Sequence, residues 1–251
     1  MTIRENELNL SLKEFQYYQE CPQKFRLYRI LNPIPTKKAF LKDRRNIEEY
    51  RHRGYLDTEI DGIELHLFFA TFHQHYDISI YNNIVPSKLV ENPIKLLFWK
   101  YQLKRYRKLE EKSYWSPIWK ELQLMNKYQR GIIDCVEMLE GEQKLRLIDY
   151  KKKKYEKDQD ALNFYALLLN HHIIEMGWDD LEIDEIGCYY YLEGELCLEK
   201  FTKNSEKNIT DKIKQVLNQI KNENFCLNKE HCNSCQFNII CNVDQNRYNR
   251  R

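Results

Sequence analysis

The apolar positions of this chain change period along its length, and the changes mark its elements. Ser11-Leu12-Lys13-Glu14 has capping-box spacing and predicts the start of a helix. Pro22 suits the first turn of a second helix over 22–31, with Phe25, Leu27, Tyr28 and Ile30 partly buried. Residues 32–61 are polar and hold Pro33 and Pro35, which predicts a connector with a short strand near 55–60. From Gly62 to about Lys112 the spacing is helical, interrupted at Pro86 and Pro93. Residues 129–139 and 144–151 are then two apolar runs around Gly141, the pattern of a hairpin. Leu162, Tyr165, Leu169 and Ile173 return to helical spacing over 158–176, and Gly177 stands just past that helix's end. A second hairpin is predicted from 183–192 and 195–201, turning at Glu193-Gly194. Ile213, Val216, Leu217 and Ile220 give an amphipathic helix over 210–222. The sum is a mixed α/β chain read as one domain over 1–251. It divides into a mainly helical part (1–125), a sheet with its crossing helix (126–201), and a helix with a Cys-rich lobe (202–251).

Composition narrows the function. The 251 residues carry 40 Lys+Arg against 38 Asp+Glu, for a formal net charge of +2, so nucleic-acid contact has to come from local patches. The longest unbroken apolar stretch, Phe164 to Leu169, is too short to cross a bilayer, and the first ten residues have no apolar signal core. These features predict a cytoplasmic protein with no membrane partner. Eight cysteines are then more than such a chain needs. Cys226, Cys232, Cys235 and Cys241 fall within the last 26 residues, a clustering that points to metal ligation before disulfides.

The chemistry concentrates in Gly131-Ile132-Ile133-Asp134 and, fifteen residues after that aspartate, Asp149-Tyr150-Lys151. On a strand Asp149 and Lys151 share a face, and the hairpin can bring Asp134 beside them. Two adjoining carboxylates repel unless a hard divalent cation such as Mg²⁺ or Mn²⁺ sits between them. Such a cation polarises a phosphoryl oxygen, and a nearby lysine orients water or stabilises transition-state charge, as phosphodiester hydrolysis requires.

The order Gly-x-x-x-His, Gly-Ile-Ile-Asp, Ile-Asp-Tyr-Lys, a helix tyrosine and C-terminal cysteines resembles the RecB-type branch of the PD-(D/E)xK nucleases. Ser11 to Phe15 and Cys21-Pro22-Gln23-Lys24-Phe25 resemble the opening of its iron–sulfur members, which include CRISPR-associated RecB-like exonucleases. The resemblance implies a restriction-endonuclease-like core, a central mixed sheet flanked by helices, and a metal-dependent DNA nuclease. It implies action on single-stranded DNA from free ends, in CRISPR spacer acquisition or in DNA repair and recombination, with CRISPR integrase proteins or a helicase as partners. Position by position it makes His66, Asp134 and Asp149 ligands for Mn²⁺ or Mg²⁺, with Lys151 and Tyr165 completing the catalytic set. His73, two helical turns beyond His66, is the rival ligand, and Glu121 matches an acid that often precedes the first aspartate. Four residues before Tyr165 the family carries Gln, where this chain has Ala161. Gln159 or Asn163 would have to replace that DNA contact. The alternative reading is a catalytically impaired nucleic-acid-binding subunit of a DNA-processing complex.

By the same resemblance Cys21, Cys232, Cys235 and Cys241 hold a 4Fe–4S cluster that staples the chain's two ends. Zinc on the local set that includes Cys226 is the alternative. Cys135, Cys188 and Cys197 read as core thiols. Lys152, Lys153 and Lys154 run on from the catalytic strand and are candidate DNA contacts, as is Gln159. So is the stretch from Lys100 to Lys112, where six basic residues face two acidic ones and Tyr101 and Tyr106 are interleaved.

Overall fold

The computed structural model of the protein describes residues 8–32, 57–155 and 158–241. Strand β1 (Leu10–Ser11) leads into α1 (Leu12–Glu20) and α2 (Pro22–Leu31). The expected capping box is formed: Glu14 N donates to Ser11 Oγ, and the Glu14 carboxylate accepts from Ser11 N at 2.7 Å. That carboxylate is fully buried and also meets Arg29 at 2.9 Å and Arg130 at 2.6 Å. One cap thus ties α1, α2 and the sheet together, and removal of the acid would leave two guanidinium groups facing each other under cover. In α2, Phe25 and Leu27 are buried as expected, whereas Ile30 is exposed.

Helix α3 (Asp57–His75) is followed by α4 (Asp77–Tyr81), α5 (Ser87–Val90), α6 (Pro93–Lys108) and a 3-10 turn at Lys112–Trp115. The strand expected near 55–60 is corrected over 57–60, which open α3; residues 55 and 56 lie outside the described residues. Gly62 reads as a boundary in the sequence but lies inside the helix. Burial of Leu65, Phe69 and Phe72 outweighs the roughly 1 kcal/mol that an internal glycine costs.

The sheet consists of β1, β2 (Trp119–Met125), β3 (Gln129–Met138), β4 (Lys144–Lys151), β5 (Glu182–Tyr190) and β6 (Glu195–Lys200). It begins earlier than the division at residue 125 implies, because β2 lies in the part read as helical. Along one edge β3 pairs antiparallel with β2. Along the other it meets β1 at Gln129–Arg130 and β4 from Cys135 to Met138. The pairing of β4 with β5 is parallel, that of β5 with β6 antiparallel, so the sheet is mixed. Helix α7 (Asp158–Glu175) makes the crossover between β4 and β5, and Gly177 ends it at φ +70°, where glycine has no steric penalty. Helix α8 (Lys203–Lys221) is longer than its apolar pattern: Thr202 Oγ1 caps it by accepting from Ser205 N, about two turns before Ile209, its first apolar residue.

Both faces of the sheet are covered. On one, α3 and α6 pack Phe69, Phe72, Phe98 and Trp99 onto Cys135, Ile148, Tyr150 and Tyr189. On the other, α7 packs Leu162, Ala166 and Leu169 onto Ile133, Val136, Leu147 and Ile186. Outside α7, a third cluster joins Phe15 and Phe25 to Ile209, Ile213 and Leu217 of α8. Among the described residues no helix is long and apolar enough to cross a membrane.

Candidate active site and cysteine lobe

The strand alternation breaks at two facing points. Ile133 and Val136, three residues apart on β3, both pack toward α7, and so do Trp119 and Leu122 on β2. Regular pleating puts residues three apart on opposite faces, so each strand departs from it in between. Between the pairs Lys120–Cys135 and Leu122–Ile133 stand Glu121 and Asp134. Glu121 has φ +49°, left-handed backbone that a non-glycine residue occupies at a cost of about 1 kcal/mol.

The break turns both acids toward His66 on α3. His66 Nδ1 lies 3.3 Å from Asp134 Oδ1 and 3.8 Å from Glu121 Oε1. His66, Glu121 and Asp134 each offer one ligand atom, all within 4.8 Å of one another, and Asp134 is buried. Two carboxylates and an imidazole are a donor set for a divalent cation, and the nitrogen shifts preference toward Mn²⁺. β3 and β4 cease to pair beyond Cys135 and Ile148, and there Asp134 Oδ2 accepts from Tyr150 N at 2.8 Å. The carboxylate thus takes the place of a backbone carbonyl where the strands part.

Asp149 and Lys151 share a face of β4, as their spacing requires, and Lys151 Nζ meets Asp149 Oδ2 at 2.7 Å. Burial pushes the Asp149 carboxyl up to about 7, Lys151 opposes that rise and Asp134 adds to it. Burial also works against the Lys151 ammonium, but Asp149, with Tyr165 and Asp134, holds its pKa above the ordinary lysine range. Tyr165 stands over the start of β3: a Cβ added at Gly131 would lie 2.8 Å from Tyr165 Cε1. Gly131 is therefore the seat of the ring.

Of the ligands expected from sequence, His66 and Asp134 converge, Asp149 stands next to them paired with Lys151, and Glu121 takes the third place. His73 is corrected: it is buried against Trp115, ring centroids 4.4 Å apart. Burial, with Arg105 and Lys120 adding to it, pushes His73 down to about 3. Gln159 and Asn163 line a polar cleft between α7 and α8 with Ser205, Asn208 and Lys212. Ala161 is buried, so no contact with DNA comes from that position. Lys152, Lys153 and Lys154 are exposed at the end of β4. The stretch from Lys100 to Lys112 is corrected as a stacking surface, because Tyr101 packs on Tyr189 in the core and Tyr106 packs on Trp115.

Between the N-terminal helices and the C-terminal segment, Cys21, Cys232, Cys235 and Cys241 line one cavity with Leu27, Leu227 and Phe237. Asn228 joins its two sides: its N–H points to Cys21 Sγ at 3.4 Å, its carbonyl accepts from Cys232 Sγ, and its side chain donates to Glu20 O. Cys226 does not line this cavity; it is exposed and its thiol contacts Asn224 Oδ1. Cys135 and Cys188 are buried as expected, but Cys197 is exposed on β6.

No curated protein matches the chain. Among solved structures it is similar to a "Putative exonuclease" from Eubacterium rectale, at 10% identity over 93% of this chain and 89% of that one, with a TM-score of 0.44. Residues 9–242 match the PD-(D/E)XK nuclease superfamily, a span that holds the histidine, all three acids, Lys151 and the four cavity-lining cysteines. With the mixed sheet, its flanking helices and the acids at the parting of β3 and β4, the chain belongs to the PD-(D/E)XK nuclease superfamily.

Proposed function

We propose that the protein is a divalent-metal-dependent deoxyribonuclease of RecB type that degrades single-stranded DNA from free ends. The observation that carries this reading is the convergence of His66, Glu121 and Asp134, with the Asp149–Lys151 pair beside them. Mg²⁺ or Mn²⁺ at this donor set supplies positive charge against a phosphoryl oxygen and acidifies water. Asp149 holds the Lys151 ammonium in place, where it orients the attacking water and offsets charge on the phosphate. Tyr165, against Gly131, borders the same space. The exposed Lys152, Lys153 and Lys154 attract the backbone toward it.

The four cavity-lining cysteines hold a 4Fe–4S cluster in this reading. Four thiols and an apolar lining fit such a group. Its role is structural, joining the two N-terminal helices to the segment that carries the C-terminal cysteines. The cellular setting, CRISPR spacer acquisition or repair and recombination in the cytoplasm beside an integrase or a helicase, follows from the resemblance of the motifs.

The test is an end-labelled single-stranded oligonucleotide, a circular single strand and a blunt duplex, each incubated with the full-length protein and Mn²⁺. Stepwise shortening of the linear strand with the circle left intact is expected. Cleavage of the circle would replace the end-dependent reading with an endonuclease.

A further inference from the structure

We infer that Tyr155 is a base-stacking residue that grips single-stranded DNA at the mouth of the catalytic site. This inference rests on the nuclease reading above and deepens it. Tyr155 lies in the turn between β4 and α7, four residues after Lys151, and its side chain is about half exposed. A single exposed tyrosine is ordinary on a protein surface. Three further observations distinguish this one.

Its backbone is fixed. Tyr155 N donates to Asp158 Oδ2 at 2.9 Å, and Asp158 N donates back to Tyr155 O. The same Asp158 oxygen accepts from Tyr190 Oη at 3.0 Å, so the turn is pinned to β5 from inside the protein. An exposed ring on a held backbone loses little conformational freedom when a base settles on it. Its surroundings are cationic as well: Lys153 Nζ stands 5.4 Å from the ring centroid, next to Lys152 and Lys154. The location is also right. Tyr191 N donates to Lys151 O at 2.9 Å, which holds the end of β4 against the end of β5, and Tyr155 follows Lys151 by only four residues. The held backbone that carries the ring therefore continues directly from the strand end that presents Lys151 to Asp149.

An aromatic face flanked by ammonium groups matches a nucleotide in an unpaired strand, where a base stacks while its phosphates meet charge. A duplex keeps its bases stacked on each other and offers this ring no free face. The geometry therefore selects a single strand, or the frayed end of a duplex, one base of which rests on Tyr155.

The test is equilibrium binding by fluorescence anisotropy of the full-length protein with a short oligothymidylate in Ca²⁺, which separates binding from cleavage. Tyr155→Ala is expected to weaken binding about five- to one-hundredfold, and Tyr155→Phe to keep it. A series of oligonucleotides with one abasic position should show one position whose loss weakens wild-type binding and has no effect in Tyr155→Ala. Thermal melting of each variant checks that the exposed site leaves the fold unchanged. Unchanged affinity in Tyr155→Ala, or an abasic effect that persists in it, would overturn the inference. A protein that binds the strand through Tyr155 yet cleaves no DNA would overturn the nuclease reading and leave the stacking role standing.

Discussion

Glu121 and Asp134 face each other across β2 and β3, each at the point where its strand breaks the alternation of its side chains. Without that pair of breaks, Glu121 would follow Trp119 onto the apolar face under α7. With it, both carboxylates meet His66, and the strain at Glu121 is stored at the candidate metal site.

The backbone at Glu121 allows a separation of stability from function. Glu121→Gly removes the left-handed penalty and should raise stability by up to about 1 kcal/mol, while Mn²⁺ affinity falls. Glu121→Gln keeps the strain and still loses affinity. Thermal melting beside Mn²⁺ titration calorimetry checks both. Retention of full Mn²⁺ affinity in both variants would remove Glu121 from the site.

The cysteine lobe makes a prediction about colour. Protein purified without oxygen should carry iron and absorb visible light. Cys21→Ser should lose both, and Cys226→Ser should keep both, because only Cys21 lines the cavity with the C-terminal triplet. Zinc without iron, or loss of metal on substituting Cys226, would return the site to the local set.

His73 gives a pH dependence whose sign is fixed by burial. Its pKa falls from the ordinary 6.5 to about 3 in the folded chain, so the unfolded chain binds more protons between those values. Stability from this group is complete above about pH 6.5 and is lost as pH falls through the window, by about 2 kcal/mol at pH 5. His73→Leu should flatten the corresponding slope in denaturant melts at pH 7 and pH 5. An unchanged slope would mean that His73 takes up its proton inside the fold.

What the sequence displayed and what it hid differ for physical reasons. The hairpin around Gly141, the crossover helix and the Ser11–Glu14 cap are local events, written in periodicity or in one short spacing. Strand β2 escaped because its residues are mostly half-buried, leaving no clean alternation, and left-handed backbone at a glutamate has no sequence signature. His66 and His73 share a helix face two turns apart. Only tertiary depth separates them, one at the parting strands and the other under Trp115. Tyr101 looked like a partner of the basic run around it, yet it lies on the side of α6 that faces the sheet. The cysteines were legible in number and spacing, and the fold was needed to bring Cys21 into the cavity and leave Cys226 outside it.

The central claim is metal-dependent phosphodiester hydrolysis at Asp134, Asp149 and Lys151. The most direct test incubates labelled single-stranded DNA with Mn²⁺ and the wild-type protein, Asp134→Ala or Lys151→Ala, each first shown to be folded by circular dichroism. Cleavage by the wild type, its loss on chelation and a drop of at least about a hundredfold in both variants are the expected results. Equal cleavage by the folded variants, or none by the wild type with any divalent cation, would contradict the account.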